Sequence, residues 1–316
     1  CYTKNELDFS EKLRLLSALR GLRNKFDITH YLFTPTRKNT SLINFFSRPT
    51  HGKTLQTIAT LREDLYGAKQ WKQLLFADRI IVYSDYSKHI LERVGFDNVT
   101  RIYPGTDLSL YRPQPKDAEA LTFFNLTPDD FVVMYPGEYV RLGATDMLAE
   151  WLIEYYRTHP DSAMKFVFAC RVKHEDDRLK KVEITERFAT AGILDHIRFT
   201  DTYADMPKLY NLADIMAFPV GDMRGKFDVP LVIIEAYACG KPVILSDLPI
   251  FQEFSSDTIC ATVPRGSAEA LTETVDALMH DPTAREALGR EARTFVEGSF
   301  DLKDTVRRYE DVYASM

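Results

Sequence analysis

AFPVGDMRGKFDVPLVIIEAYACGKPVILSDLPIFQE, residues 217–253, is the stretch from which the rest of the chain is best read. The short apolar run DIMAFP (214–219) has the character of a buried strand. It leads into a loop of Gly221, Asp222, Arg224, Gly225, Lys226 and Asp228. Pro230 suits the first turn of a helix over 230–239, because the N–H it lacks has no partner there in any case. PVILS (242–246) is the next strand, which makes a parallel strand–helix–strand crossover. The amides of Leu231 and Val232 then lie at the positive end of the helix dipole, beyond the end of the strand, as an anion site. Lys226 adds a full positive charge. Glu235, about one turn further on, offers a carboxylate that can accept two hydrogen bonds from a diol. Its neighbours Val232, Ile233, Ile234, Ala236 and Ala238 are apolar, so this carboxylate needs a partner.

The same alternation runs in both directions. Toward the N-terminus the strands read at 196–200, 165–170 and 131–135, with helices at 205–213, 175–191 and 145–158. Further back, strands read at 99–103, 79–84, 53–59 and 28–34, with helices at 85–94 (Asp85 as N-cap), 68–76 and 9–25. Toward the C-terminus, helices read at 267–279, 283–297 and 301–315, the last with Val306, Tyr309, Val312 and Tyr313 as its apolar stripe. RPQPKDA (112–118), with two prolines, is the best linker. The reading is therefore α/β, with two Rossmann-like doubly wound domains facing across a cleft. Residues 1–112 are the front, acceptor-side domain, and residues 113–300 the second domain. Residues 301–316 form a helix packing back toward the front domain.

At 316 residues the chain has room for about two domains. The four cysteines, Cys1, Cys170, Cys239 and Cys260, are far apart, which argues against a disulfide scaffold and fits a reducing, cytoplasmic setting. No apolar run approaches ~18 residues, and no secretory signal is legible at the start. Residues 1–112 carry 18 Lys and Arg against 11 Asp and Glu, whereas the remainder carries 22 against 35. A basic front half points to an anionic partner, such as a phosphorylated acceptor or a lipid headgroup surface. The Leu15, Leu16, Leu19 and Leu22 helix reads as packed on a sheet rather than lying on a membrane, because its cations do not gather on one face. No helix-turn-helix or zinc-finger pattern accompanies the charge, so nucleic acid is not an expected partner. No G-x-G-x-x-G follows a strand, which excludes a plain dinucleotide dehydrogenase. No Asp-x-Asp stands at a strand end, and His174-Glu175-Asp176-Asp177 reads as a charge-capped helix start, so no metal site is expected.

PLVIIEAYACGKPVILSD (230–247) resembles the signature helix and strand of retaining family 4 glycosyltransferases, which have the GT-B fold. Other landmarks agree in order: ADRIIVYSDYSKHIL with VTRIYPGTDLSLYRP (77–113), FVVMYPGEYVRLGATDML (131–148), HIRFTDTYADMPKLYNLADIMAFP (196–219) and the closing stretch 283–316. The resemblance implies a nucleoside diphosphate sugar as donor, no other cofactor, and donor ribose held by Glu235, the second glutamate of a Glu-x7-Glu motif. The first glutamate falls at Phe227, so Lys226 and Asp228 are expected to do its work, with Asp228 near the donor hexose. Gly137 and Arg141 match the phosphate loop only partly, since Glu138 and Leu142 stand where the family places cations. Arg171 and Lys173 are the expected replacements, because an arginine suits a diphosphate. Thr200 falls in the base-binding region. The family's front-domain histidine is missing at Ala59, which leaves His30 and Arg62 as acceptor-side candidates. The first strand–helix–strand of the front domain is not legible, so that domain is expected to be truncated.

Together these imply a metal-independent retaining hexosyltransferase, with Asp228 and Lys226 in catalytic roles. The donor contacts are Glu235, Arg171, Lys173, Arg141, Gly137, Leu231, Val232 and Thr200. The acceptor is expected to be a carbohydrate, lipid-linked or protein group, and the enzyme cytoplasmic, with peripheral contact at the inner membrane face. The missing first glutamate, the absent histidine and the short N-terminus favour the alternative of a non-catalytic sugar-nucleotide-binding or scaffold subunit.

Overall fold

Alternating burial builds the first sheet. Ile80 and Val82 point to one face and Ile81 to the other, and all three are fully buried. The computed structural model describes residues 8–200 and 203–316; Cys1 and residues 201–202 of the stretch 196–219 lie outside them. The chain divides into two compact units. Unit 1 comprises the chain up to Tyr103, Gly225–Val229 and Thr305–Met316; unit 2 comprises Pro104–Arg224 and Pro230–Asp304.

In unit 1, α1 (Phe9–Leu22), capped by Asp8, precedes β1 (Ile28–Leu32), α2 (Arg37–Phe46), β2 (Lys53–Ile58) and α3 (Ala68–Leu74). Then come β3 (Arg79–Val82), α4 (Asp85–Val94) and β4 (Val99–Arg101). The four strands are all parallel, in the order β1-β2-β3-β4. The sequence reading missed α2, RKNTSLINFF. Thr36 caps it, and Thr40 is buried with its hydroxyl aimed at Leu74 O. The N-cap of α4 is Ser84 rather than Asp85.

Unit 2 contains α5 (Ala118–Phe123), β5 (Phe131–Tyr135), α6 (Thr145–Thr158), β6 (Met164–Phe168), α7 (Glu175–Thr190) and β7 (Ile197–Phe199). It continues with α8 (Met206–Leu212), β8 (Ile215–Phe218), α9 (Leu231–Ala238), β9 (Val243–Ser246), β10 (Ala261–Val263), α10 (Ala268–His280) and α11 (Pro282–Ser299). Its six parallel strands run β10-β9-β8-β5-β6-β7. The chain thus winds outward from β5 to β7, then returns to β8 on the other side. The winding reverses between β5 and β8, and in open α/β sheets ligands bind beyond the strand ends at such a point.

α12 (Leu302–Ala314) closes the chain. Tyr309, Val312 and Met316 pack against Leu55, Ile81 and Ile102 of the first sheet, and Thr305 donates to Tyr103 O. The boundary between units falls at Tyr103–Pro104, ahead of the 112–113 boundary read from the prolines. Residues 104–114 are fastened to unit 2 by several bonds. Thr106 N donates to Phe300 O at 2.8 Å, and Arg293 donates to the Leu108 and Tyr111 carbonyls. The Asn211 side chain accepts from Gln114 N and donates to Arg112 O. α9 and α11 meet backbone to backbone, since a Cβ on Gly289 would overlap the Gly240 carbonyl oxygen.

Candidate active site

The carboxyl ends of β5, β6, β7 and β8 bring together most of the residues expected to hold a donor. The loop after β5 opens with Gly137, where a Cβ would overlap the fully buried ring of Tyr135. The protein's own tyrosine therefore demands the glycine, and the Tyr135 hydroxyl donates to Glu138 O. Gly221 N donates to Leu142 O at 2.9 Å, which ties the loop after β8 to the loop after β5. Ser246 Oγ holds the same β8 loop through Val220 O at 2.7 Å.

The cations of this edge are unequal. Lys173 Nζ lies 2.6 Å from Glu138 Oε1, and Arg141 Nε lies 4.0 Å from Glu138 Oε2. Glu138 therefore offsets part of the charge that the sequence reading assigned to a diphosphate. Arg171 is exposed and makes no ion pair among the described residues. Asp177 accepts from the amides of Lys173 and His174, which makes the acidic run after His174 the cap of α7. Thr200 is buried at the end of β7, with its amide on Phe168 O and its hydroxyl without a partner among the described residues.

No side chain caps α9. Hydrogen bonding inside the helix starts with Ile233 N to Pro230 O. Leu231 and Val232 are half-buried, whereas Ile233, Ile234 and Ala236–Ala238 are buried. The first amides thus lack a side-chain acceptor while the body of the helix sits in the core. One turn on, Glu235 Oε2 accepts from the Tyr210 hydroxyl at 2.7 Å, and the Tyr111 phenol stands close to the same carboxylate, its ring centroid 6.1 Å from that of Tyr210. Burial pushes the Glu235 pKa up, and these two hydroxyls hold it back. Burial, followed by the Glu235 charge, pushes the Tyr111 phenol up to about 12.

Three expected site residues have other work. Asp228 is 3% exposed; its amide donates to Ala59 O, and its carboxylate accepts from Leu61 N at 3.0 Å and Ser87 Oγ at 2.6 Å. The carboxylate that was to orient a hexose instead pins Gly225–Val229, and Lys226 with it, into unit 1. His30 bridges Thr57 Oγ1 and the Tyr313 hydroxyl, each at 2.8 Å, and so anchors α12 rather than facing an acceptor. Arg62 makes a two-pronged pair with Asp64 at 2.8 and 2.7 Å. Asp228→Ala leaves a buried amide and a buried hydroxyl without an acceptor, at ~1–3 kcal/mol each. We expect the denaturant midpoint to report a loss of about 3 kcal/mol; an unchanged midpoint rules out the latch.

Residues 130–281 match the family described as glycosyl transferases group 1. The D-inositol 3-phosphate glycosyltransferase 1 of Catenulispora acidiphila is 26% identical over 228 residues, which are 69% of this chain and 52% of that protein. A GDP-mannose-dependent monoacylated alpha-(1-6)-phosphatidylinositol monomannoside mannosyltransferase of Corynebacterium glutamicum is 26% identical over 219 residues, 67% of this chain and 55% of that protein. The chain thus spans about half the length of these curated relatives. The crystal structure of Anabaena HepE in complex with UDP and glucose superposes with a TM-score of 0.78 at 16% identity, covering 99% of this chain and 84% of that one. The sucrose-phosphate synthase structure from Thermosynechococcus elongatus gives 0.77 at 21% identity, over 99% and 80% of the two chains. The fold is that of the GT-B glycosyltransferases. The sequence reading singled out Leu231, Val232 and Glu235 but did not name Tyr111 or Tyr210, which stand beside Glu235. "SLYRP" and "KLYNL" carry an aromatic at a place where the core alone explains it, and no local signal marks a hydroxyl for Glu235.

Proposed function

We propose that the chain is a glycosyltransferase that moves a hexose from a nucleoside diphosphate sugar to an acceptor with retention. The observation that carries this reading is the uncapped amide end of α9 with a half-buried carboxylate one turn behind it, at the point where the strand order reverses. In the transfer the bond from sugar C1 to the diphosphate oxygen breaks, the acceptor oxygen bonds C1 on the same face, and the acceptor's hydroxyl proton passes to the departing phosphate oxygen. Negative charge gathers on the departing phosphate while positive charge gathers on the ring. The Leu231 and Val232 amides, with Arg171 and Lys173, stabilise that leaving group, and Glu235 accepts from the ribose diol. On this reading no metal is needed, and a chelator leaves turnover unchanged. The basic surplus of residues 1–112 suits a phosphorylated acceptor or an anionic headgroup surface.

Calorimetric titration with nucleoside mono- and diphosphates of uridine, guanosine and adenosine tests the diphosphate site. A diphosphate is expected to bind more tightly than its monophosphate, and Arg171→Ala is expected to narrow the gap. Glu138→Gln releases Lys173 and Arg141 from a partly exposed pairing worth ~0.2–1 kcal/mol. It is therefore expected to tighten diphosphate binding by about two- to fivefold. If no diphosphate of the panel binds, the reading is wrong. A second reading, a sugar-nucleotide-binding subunit without turnover, is favoured by the engagement of Asp228 inside unit 1 and by Phe227 at the place of the first glutamate. Product mass spectra with UDP-, GDP- and ADP-hexoses and a panel of phosphorylated cyclitols separate the two: binding with no transferred hexose selects the second.

A further inference from the structure

A carboxylate this deeply placed normally has a cation or a metal beside it. Glu235 has neither among the described residues. Tyr210 reaches it from α8 and Tyr111 from the segment ahead of α5. Of the other titratable groups around this cluster, Cys239 lies on α9 itself and Asp205 caps α8. Two cations near Cys239 are occupied elsewhere: Arg293 of α11 with the Tyr111 and Ala238 carbonyls and the Glu297 carboxylate, Lys241 with the Asn211 carbonyl. Two neutral hydroxyls thus do what a cation does elsewhere.

A carboxylate offers about four acceptor positions. The Tyr210 phenol fills one of them, the Tyr111 phenol stands close to a second, and two are left for further donors. The rigid rings of the two phenols, with centroids 6.1 Å apart, decide which positions those are. Arg293 fixes Tyr111 in turn, since it holds the Tyr111 carbonyl at 2.7 Å. A lysine or arginine in the same place would bind the carboxylate more strongly and compete with the ligand. A hydroxyl donates one proton and leaves the negative charge in place.

We propose that Tyr111 and Tyr210 are positioning residues that hold Glu235 ionised and oriented so that its remaining lone pairs accept the two hydroxyls of a ribose. The proposal rests on the nucleotide-sugar reading above and assigns the sugar selectivity of that site to residues outside the signature helix. Hydrogen bonds to the charged form keep the carboxylate ionised against burial. Without either phenol, protonation sets in at higher pH and the diol loses its acceptor.

The test is calorimetric titration of the full chain with UDP and dUDP, GDP and dGDP, and ADP and dADP between pH 5 and 8 (the pairs differ only at the 2′ position). Wild type is expected to prefer the ribose form at least about tenfold, the loss of one hydrogen bond to a charged group. Tyr111→Phe is expected to reduce that preference at least about threefold and to move the acid limb of binding upward by about half to one pH unit. Comparing variant and wild type with one probe cancels the titration of the probe's own phosphate. Tyr210→Phe is expected to act likewise; if this buried variant does not fold, Tyr111→Phe decides alone. Glu235→Gln separates the two levels of the argument. If it abolishes the ribose preference while Tyr111→Phe changes neither preference nor acid limb, the clamp is overturned and the ribose site stands. If Glu235→Gln itself leaves the preference intact, or if none of the probes binds, the ribose reading falls and takes the clamp with it.

Discussion

Glu235→Ala is expected to weaken nucleoside diphosphate binding by roughly 100- to 10,000-fold, because it removes an acceptor of two hydrogen bonds to a charged group, each worth ~1.5–3 kcal/mol. The same residue is expected to be a burden on the empty protein. Burial raises its pKa, so the folded chain holds this proton more tightly than the unfolded chain does. The stability linked to it is present in full below the unfolded pKa and is lost as pH rises through the folded one. Glu235→Gln keeps the shape, loses the charge, and should therefore raise the unfolding midpoint of the ligand-free protein at neutral and alkaline pH, with little change at pH 4. Thermal unfolding across pH, with and without the tightest-binding nucleoside diphosphate, checks both halves. A variant that binds as wild type does, or that is destabilised at pH 8, contradicts the account of Glu235 as a carboxylate kept ionised for a ligand.

Gly137→Ala is expected to produce the largest loss of stability of any single methyl group added to the loop after β5. The new Cβ would enter the ring of Tyr135, which is fully buried between β6 and β8 and tied through its hydroxyl to Glu138 O. Overpacking of a core costs ~1–3 kcal/mol when side chains can shift. Here the obstacle is a ring with neighbours Phe168 and Phe218 at centroid distances of 6.2 and 6.1 Å, so we expect about 3 kcal/mol or more. Tyr135→Leu removes the ring and should lower the additional loss from Gly137→Ala to below about 1 kcal/mol, a coupling that a double-mutant cycle reads directly. If the two losses simply add, the ring is not the reason for the glycine. A ligand that needs close approach of the backbone would then be the better explanation.

Much of the fold was legible because local signals and the global arrangement agree. Buried parallel strands read as apolar runs such as FVVMY and RIIV, and crossovers need helices of the lengths that separate them. α2 and α5 escaped because both are short, with their starts set by the caps Thr36 and Asp117. The end of the first unit was misplaced for a similar reason. Pro113 and Pro115 mark a rigid stretch of chain, but Arg293 and Asn211 decide which unit it lies on.

The site divides along the same line. Pro230 starting an apolar helix behind a strand is a local arrangement, so the uncapped start of α9 and a carboxylate set among apolar neighbours could be read from residues 214–239 alone. The assignments to Asp228, His30, Arg62 and Lys173 concerned side-chain partners. Those partners are Leu61 and Ser87, Thr57 and Tyr313, Asp64, and Glu138. Except for Asp64, all of them lie far along the chain. Backbone hydrogen bonding and apolar periodicity repeat over a few residues, so a single sequence carries them. The charge state and orientation of a carboxylate depend on whichever groups the fold brings within 3 Å, and only the tertiary structure put Tyr111 and Tyr210 beside Glu235.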